Sequence, residues 1–406
     1  MSKAGINQSV TRQSREVMRF EFATATRIIF GPGTISEAAS LSAGMGKHAF
    51  VVTGHTVERA RLLLERLGKQ GISYVTFSVA GEPTTTIAAA AVQAARRAGC
   101  DLVISIGGGS VLDTGKVVAA MLTNTGRLED YLELVGAGRP LTLNAAAHIA
   151  IPTTAGTGAE VTRNAVLSVP EHKVKVSMRS PFMLPRLAVV DPVLTHSMPP
   201  SVTASTGLDA LTQLLEVYVS GQANPLTDGI CREGLSRAGR SLRRAYEDGD
   251  DHDAREDMAL ASLFSGLGLA NAKLGAVHGF AGPLGGMYSA PHGAICARLL
   301  PFVMEANVQA LRRRNAISPA LAKYDEAARL LTGSSSALAA DAVTWVRELC
   351  LALKVPSLAR FGLKQQDFQS VAAKAKKSSS MKGNPVELTD DELLDIIRAV
   401  NSRTAT

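Results

Sequence analysis

The stretch DLVISIGGGSVLDTGK, residues 101–116, decides the fold of the first half of this chain. Residues 101–106 form a mostly apolar run, which predicts a strand buried on both faces. Three glycines and Ser110 follow, and a helical segment comes next. Glycines let a backbone approach a ligand closely, and the N-terminus of a helix offers unpaired N–H groups to an anion. The stretch therefore predicts a strand, a phosphate-binding turn and a helix, with a simple tight turn capped by Ser110 as the alternative.

Short apolar runs and Ala-rich helical stretches alternate on both sides of this motif. Strands are expected over residues 49–53, 73–79, 101–106 and 148–151, and helices over residues 56–69 and 84–99. Continuous apolar strands that alternate with helices indicate a parallel sheet. The G-x-G-x-x-G fingerprint is absent. We therefore predict a Rossmann-like α/β domain that lacks the standard dinucleotide motif.

The pattern of apolar residues changes after LAVVDP, residues 187–192. Leu- and Ala-rich segments with helical spacing continue from there to the end. TDDE at residues 389–392 has the form of a capping box, which begins the last helix. The expected organisation is a tail over residues 1–25, an α/β domain over residues 26–195 and an all-helical domain over residues 196–406.

Composition excludes several classes of protein. The 406 residues are 46% hydrophobic and 19% charged, which is typical of a globular chain. The net charge is +7, but the basic runs have no interleaved aromatics, so we expect no nucleic-acid partner. The chain has no run of 18 apolar residues and no secretory signal, so we expect no membrane partner. Four scattered cysteines predict reduced thiols and a cytoplasmic protein.

A second loop, IPTTAGTGAEVT at residues 151–162, follows another predicted strand. Open α/β sheets bind ligands beyond the carboxyl ends of their strands, where these hydroxyls and amides would lie. A series of satisfied turns is the alternative. Two such loops after two strands of one sheet predict a single ligand crevice.

GLDALTQLLE, residues 207–216, places Asp209 and Gln213 on one face of an apolar helix. A buried carboxylate needs a partner. His278 and His292 lie in Gly- and Pro-rich surroundings further along the chain. One carboxylate and two imidazoles suit a divalent first-row metal, whereas a core histidine bonded to a carbonyl is the alternative for either histidine.

Taken together, these segments resemble the iron-containing alcohol dehydrogenase family, which is related to glycerol dehydrogenase and dehydroquinate synthase. The motifs are GGGSVLDTGK, PTTAGTGAEVT, LPRLAVVDPVLTHSMPP, TGLDALTQ, AVHG and PHG, in this order along nearly the whole chain. The resemblance implies that residues 26–195 bind a dinucleotide and that residues 196–406 form the metal and substrate domain. It also implies a homodimer, joined through a strand near residues 20–29.

The resemblance further implies roles for individual residues. The pyrophosphate would lie on the GGGS turn and the nicotinamide near the PTT-x-GT loop. The implied cofactor-binding residues are Gly107, Gly108, Gly109, Ser110, Asp113, Thr153, Thr154, Thr157 and Lys173. The implied metal ligands are Asp209, Gln213, His278 and His292. The metal itself, expected to be iron or zinc, would act as the Lewis acid, and no catalytic side chain is assigned.

Three positions depart from the pattern of the family. Gln213 stands where the second metal ligand is usually His, and a neutral amide oxygen is a weaker donor toward these metals, so metal occupancy is lowered or three protein ligands remain. Gly282 stands where many members have another His, so the proton relay must use water or another group. Gly54 stands where NAD-preferring members often carry Asp, so the cofactor is expected to be NAD or NADP.

These features predict hydride transfer between a nicotinamide cofactor and a small-molecule alcohol/aldehyde or ketone pair. Alternatives on the same scaffold are a metal-independent enzyme like maleylacetate reductase, a hydroxyacid–oxoacid transhydrogenase and a dehydroquinate synthase-like lyase. A non-catalytic dinucleotide-binding protein is an alternative of a different class.

Overall fold

The computed structural model describes residues 18–172, 174–288 and 290–402. Within these residues a parallel six-stranded sheet is followed by a mostly helical region, as the sequence predicts. The strands are numbered in chain order. In their order across the sheet they are β1 (Arg27–Phe30), β8 (Leu187–Val190), β5 (Ala147–Pro152), β4 (Leu102–Gly107), β2 (His48–Thr53) and β3 (Ser73–Ser78).

Helices flank the sheet and then make up the second half of the chain. The α-helices are α1 (Ile35–Ser42), α2 (Arg61–Lys69), α3 (Thr85–Ala98), α4 (Gly109–Thr123), α5 (Pro200–Val219), α6 (Pro225–Glu247), α7 (His252–Asn271), α8 (Ala276–Met287), α9 (His292–Arg314), α10 (Pro319–Thr332), α11 (Ala339–Ala352), α12 (Phe368–Lys377) and α13 (Asp390–Ser402). Short 3₁₀ turns cover Val57–Ala60, Leu128–Tyr131, Ala159–Val161, Pro170–His172, Pro181–Met183, Pro192–Thr195, Leu358–Phe361, Gln365–Asp367 and Ser380–Gly383.

Strand β4 is buried along its whole length because helices cover both faces of the sheet. Val103 faces the core formed with α3 and α4. Leu102 and Ile104 face the opposite core, formed with α1 and α2. Since successive side chains of a strand point to opposite faces, a strand that is covered on both sides reads as one continuous apolar run.

Helix boundaries follow the capping residues in the sequence. The Thr84 hydroxyl accepts from the Ile87 N–H at 3.1 Å and begins α3, which ends at Gly99 in a left-handed conformation with φ 68°. At the last helix the Glu392 N–H donates to Thr389 Oγ1 at 3.2 Å, and the Thr389 N–H donates to the Glu392 carboxylate at 2.9 Å. Both predicted helix starts are therefore confirmed.

An antiparallel hairpin was not among the predicted strands. It consists of β6 (Asn164–Val169) and β7 (Val174–Arg179), which form a two-stranded sheet, and Ser168 of β6 also bridges to Thr84. Their residues alternate between buried and partly exposed, so they lack the continuous apolar character that identified the other strands. The predicted cofactor contact Lys173 lies between these strands and outside the described residues.

Helix α5 is the central helix of the second half and packs against α6, α7 and α9. Every residue from Gly207 to Val219 in this helix is buried, so its polar side chains need partners inside the protein. Helix α9 has the length and apolar composition of a membrane-crossing helix, but 83% of its most apolar window is buried inside the protein, as expected of a core helix.

The loop at residues 151–162 joins the sheet to the helices. A Cβ atom on Gly156 would lie 2.5 Å from the Thr206 side chain of α5, and one on Gly158, where φ is 59°, would lie 2.4 Å from Gly266 of α7. Ser265 donates a hydrogen bond to the Gly156 carbonyl at 3.3 Å. Small residues therefore let this loop dock directly on α5, one turn before Asp209.

Candidate active site

The carboxyl ends of β2 and β4 mark a switch point in the sheet. These two strands are neighbours, but the chain leaves β2 toward β3 on one side and leaves β4 toward β5 on the other. Open α/β sheets bind ligands in the crevice at such a point. Gly54 follows β2 and Gly107 ends β4, so both border this crevice.

The GGGS turn presents backbone groups to the crevice. Gly108 is the N-cap residue of α4, and no side chain in the described part of the protein caps this helix. Ser110 lies in the first helical turn instead of at the N-cap, which corrects the alternative that assigned it the capping role. The first N–H groups of a helix have no intrahelical acceptor, so they can bind an anion here.

The two predicted loops lie against each other. A Cβ atom on Gly109 would lie 3.0 Å from the Thr157 side chain, and one on Gly108 would lie 3.4 Å from Thr154. The Thr153 N–H donates to the Gly107 carbonyl at 3.0 Å. The structure therefore brings the two loops into one crevice, as the sequence predicts.

Asp113 lies on α4 behind the turn and is engaged with the hairpin. Its carboxylate accepts from Lys116 Nζ at 3.1 Å and from the Val166 N–H at 2.9 Å. Lys116 is fully buried and also donates to Thr162 Oγ1 at 2.8 Å and to the Asn164 carbonyl at 2.7 Å. These bonds hold α4 against β6, so direct contact of Asp113 with a cofactor stays a prediction.

Four side chains from three helices converge in the second half of the chain. Asp209 of α5, His278 of α8, and His292 and Cys296 of α9 each offer one ligand atom, and these atoms all lie within 4.8 Å of one another. We call these four residues the donor group. Asp209 Oδ1 lies 3.5 Å from His278 Nε2 and 3.7 Å from His292 Nε2. Three of the four predicted ligands therefore come together with Cys296, and the fourth, Gln213, contacts Asp209.

Close helix packing explains how the donor group is assembled. A Cβ atom on Gly293 would lie 1.9 Å from the Ser205 carbonyl oxygen, so only glycine lets the start of α9 lie against α5. His292 is thereby placed next to Asp209. The His292 side chain is 37% exposed and the Asp209 side chain 4%, so His292 borders the open side of the group.

Glu216 orients His278. Its carboxylate lies 2.6 Å from His278 Nδ1 and accepts from the Val277 N–H at 2.6 Å, at the N-terminus of α8. Because a carboxylate only accepts, Nδ1 carries a proton, and Nε2 is the ring nitrogen that faces Asp209. Carboxylates hold metal-binding histidines in the same way.

Gln213 contacts the other oxygen of Asp209. Its amide nitrogen donates to Asp209 Oδ2 at 3.1 Å, and both residues are only 3% exposed. Asp209 Oδ1 and Gln213 Oε1 have no hydrogen-bond partner among the described residues. A buried acceptor without a partner costs roughly 1–3 kcal/mol, more when charged, so this site calls for a cation. A carboxylate, two imidazoles and a thiol form a donor set that fits a divalent first-row metal.

The electrostatics of the donor group point the same way. Burial raises the pKa of Asp209, but His292 and His278 outweigh it and hold this pKa below its ordinary value. Burial lowers the pKa of His278, but Cys296, Glu216 and Asp209 raise it well above its ordinary value. Burial also raises the pKa of the Cys296 thiol, and the two imidazoles bring it below its ordinary value. The donor group thus stabilises the anionic forms of Asp209 and Cys296 next to positive charge.

Two residues of this site were missed from the sequence, although each left a signal. Glu216 ends the quoted GLDALTQLLE stretch and lies two helical turns after Asp209, on the same face. Cys296 follows His292 by four residues, the same spacing that drew attention to Asp209 and Gln213.

A glycine turn at a sheet switch point, together with a carboxylate and imidazole donor group, is typical of a dinucleotide- and metal-dependent oxidoreductase. The sequence profile described as "Iron-containing alcohol dehydrogenase" matches residues 25–192, and the profile of the C-terminal part of the Fe-containing alcohol dehydrogenase family matches residues 203–401. Alcohol dehydrogenase 4 of Saccharomyces cerevisiae (strain YJM789) is 34% identical over 376 residues, or 91% of this chain and 95% of the yeast protein. The chain belongs to the iron-containing alcohol dehydrogenase family.

Solved structures agree with this assignment. The crystal structure of 1,3-propanediol oxidoreductase superposes with a TM-score of 0.87 at 33% identity and covers 94% of this chain and 100% of that one. Sulfoacetaldehyde reductase from Bifidobacterium kashiwanohense, in complex with NAD+, gives a TM-score of 0.84 at 26% identity over 96% and 100% of the two chains. The predicted fold class and the predicted metal-dependent transfer of a hydride between NAD(P) and an alcohol/aldehyde or ketone pair are confirmed.

Proposed function

We propose that this enzyme uses a divalent metal held by Asp209, His278 and His292 to interconvert a small alcohol and its aldehyde or ketone. The observation that carries the proposal is Asp209 Oδ1, a buried acceptor without a described hydrogen-bond partner that faces two imidazole nitrogens at 3.5 and 3.7 Å. When the two Nε2 atoms are unprotonated, their lone pairs and the carboxylate face one another and need a cation between them.

The surrounding residues prepare this site. Glu216 keeps Nε2 of His278 directed at Asp209, and Gln213 holds the other oxygen of that carboxylate. When bound, the metal supplies a Lewis acid for the substrate oxygen and the nicotinamide supplies or accepts the hydride. Iron and zinc are the metals that we expect. Gln213 remains a predicted ligand through its amide oxygen.

The crevice supplies the cofactor site of the proposal. The backbone N–H groups of the turn at residues 107–110 would bind the pyrophosphate, since they stand at an uncapped helix N-terminus. Thr153, Thr154 and Thr157 line the side nearest α5 and would face the nicotinamide. Asp113 acts from behind the turn through the hairpin, and the role of Lys173 stays a prediction.

Reconstitution tests the proposal as a whole. The purified enzyme, stripped with a chelator and reloaded with Fe(II), Zn(II), Mn(II) or Ni(II), should oxidise NADH or NADPH in the presence of small aldehydes or ketones and reduce NAD+ or NADP+ with the matching alcohols. Silence with both cofactors over a broad panel contradicts it. Equal turnover by the stripped and the reloaded enzyme identifies a metal-independent reductase instead.

We also propose that the enzyme accepts both NAD and NADP. Gly54 carries no carboxylate, and apart from its chain neighbours no described atom lies within 4 Å of a Cβ built on it, so the end of β2 leaves room for a 2′-phosphate. Gly54→Asp should weaken NADPH binding by at least about 10-fold relative to the neutral variant Gly54→Asn, because a carboxylate there repels the 2′-phosphate. Fluorescence titration with NADH and NADPH measures this, and equal NADPH affinities for the two variants would place the adenosine ribose elsewhere.

Finally, we propose a cytoplasmic homodimer. Strand β1 lies at the edge of the sheet, and within the described residues it pairs only with β8, while Phe20 just before it is 45% exposed. All four cysteines are free thiols, which suits a reducing compartment. Light scattering of the full chain tests the oligomer, and a monomeric mass at micromolar concentration contradicts the dimer.

A further inference from the structure

We infer that Cys296 is the fourth ligand of the metal, in place of the imidazole that relatives carry at the position of Gln213. The inference rests on the proposed metal site and goes further, because it assigns a sulfur donor and thereby a metal preference. The resulting set is one carboxylate, two imidazoles and one thiolate.

Four of the six separations between the ligand atoms are close to those around a single ion. With metal–N and metal–O bonds of about 2.0 Å and a metal–S bond of about 2.3 Å, tetrahedral ligand atoms stand about 3.3 Å apart for O and N and about 3.5 Å apart for S and N. Cys296 Sγ lies 3.6 Å from His292 Nε2 and 3.8 Å from His278 Nε2. The Asp209 Oδ1 distances of 3.5 and 3.7 Å complete the same arrangement.

The orientation of the Gln213 side chain indicates that this residue positions the Asp209 carboxylate. A carboxylate only accepts hydrogen bonds, so the contact at 3.1 Å turns the amide NH₂ of Gln213 toward Asp209 Oδ2. That oxygen is not the one that faces the imidazoles. Gln213 can ligate only through its amide oxygen, a neutral donor that binds these metals more weakly than a thiolate does.

The surroundings of Cys296 set it apart from another buried cysteine. Cys296 has no exposed surface, and its sulfur faces the two imidazoles. Cys350 of α11 is also buried, but its thiol donates to the Ala297 carbonyl at 3.4 Å, as a core thiol does. Cys350 is therefore a matched control for removing a buried thiol close to α9.

Binding through Cys296 has a simple proton balance and a chemical consequence. The S–H bond breaks, its proton and any proton on the two Nε2 atoms leave to water, and the sulfur–metal and nitrogen–metal bonds form. The two anionic donors then balance the charge of a divalent ion. Thiolate ligation favours zinc over manganese or magnesium.

Cobalt spectroscopy of the full-length enzyme tests the assignment without relying on activity. One equivalent of Co(II) should produce a thiolate-to-cobalt charge-transfer band in the near ultraviolet. Cys296→Ser should abolish this band and weaken metal binding by at least about 100-fold, more than an outer-sphere contact contributes. Cys350→Ser should keep both. Gln213→Ala should keep the band and weaken binding by about 10-fold, as expected of an outer-sphere residue.

A second measurement needs no variant. Zinc X-ray absorption of the wild-type enzyme should show one sulfur at about 2.3 Å.

The double variant Gln213→His/Cys296→Ser should recover tight metal binding without the band or the sulfur shell.

The failures are distinguishable. Stoichiometric metal without a charge-transfer band or a sulfur shell overturns the role of Cys296 and leaves the proposed metal site intact. Failure of the wild-type enzyme to bind metal overturns both. The Gln213→Ala variant could lose the cobalt band and still show the sulfur shell in its zinc form. That result would show that Gln213 determines the coordination geometry, which contradicts the outer-sphere role of Gln213.

Discussion

The glycine turn at residues 107–110 and the donor group are linked by the loop at residues 151–162, which lies against both the turn and α5, yet they are built in opposite ways. The turn uses backbone N–H groups of consecutive residues, and its neighbours Thr154 and Thr157 come from the next loop along the sheet. The donor group uses side chains from α5, α8 and α9. A backbone site depends on a short stretch of chain, whereas a side-chain site depends on how distant helices pack.

Two buried carboxylates, one in each of these regions, differ in the direction in which their pKa is shifted. Glu160, in the loop beside the turn, is 2% exposed, and burial raises its pKa to about 7. Asp209 is 3% exposed, but the imidazoles outweigh burial and its pKa falls. Burial alone therefore does not set the charge of a carboxylate in this protein, because the neighbouring groups decide it.

The largest effect is expected at the donor group. Asp209→Ala removes the anionic ligand, so metal content should fall to background and kcat/KM should drop by at least about 1,000-fold. Elemental analysis and steady-state kinetics measure this. Asp395→Ala, which removes an exposed carboxylate paired with Arg398, is the control and should keep both values. Full activity of metal-free Asp209→Ala would refute the proposed role of the group.

The second prediction concerns Glu160 and pH. Because its folded pKa of about 7 lies above the ordinary 4.5, Glu160 stabilises the fold at low pH, and this contribution is lost as pH rises through about 7. Glu160→Gln removes the titration. Between pH of about 5 and about 8, the free energy of unfolding of the wild type should fall relative to the variant by up to about 3 kcal/mol. Denaturant unfolding at both pH values checks this, and parallel pH profiles would show that Glu160 is charged in the folded protein.

The third prediction tests the backbone site. Gly109→Leu adds a side chain at a position where even a Cβ atom would lie 3.0 Å from Thr157. The variant should therefore block the turn and weaken NAD(H) binding by about 100-fold. Metal content should not change. Gly68→Ala on α2, where the added Cβ meets no described atom within 4 Å, is the matched control. If Gly109→Leu loses metal as well, the two sites are not independent.

The smallest effect is expected at Glu216. Glu216→Gln keeps the shape but removes the charge that holds His278, so metal affinity should fall by about 10- to 100-fold while cofactor binding stays unchanged. A chelator competition assay measures the affinity. Glu305→Gln, which removes a partly exposed ion pair with Arg347, is the control. Unchanged affinity in Glu216→Gln would mean that the capping of α8, and not the metal, explains this carboxylate.

Sequence patterns predicted the elements with strong local signals. The fully buried β4, the cap at Thr84 and the capping box at Thr389 lie where the pattern places them. The β6–β7 hairpin was missed because its alternating, half-exposed strands carry a weak apolar signal. At the site, Asp209, His278 and His292 converge as predicted, and the ligand role of Gln213 stays a prediction.

The sequence by itself determined the parallel sheet, the glycine turn and three residues of the donor group. Hydrophobic periodicity, glycine content and side-chain chemistry can each be read from a short stretch of the chain. Only the tertiary structure decided that Cys296 joins the group, that Glu216 orients His278 and that Gln213 turns its amide toward Asp209. These contacts depend on close helix packing, such as that of Gly293 against Ser205. A spacing of four residues brings side chains to one face of a helix, but the neighbouring helices determine which atoms that face meets.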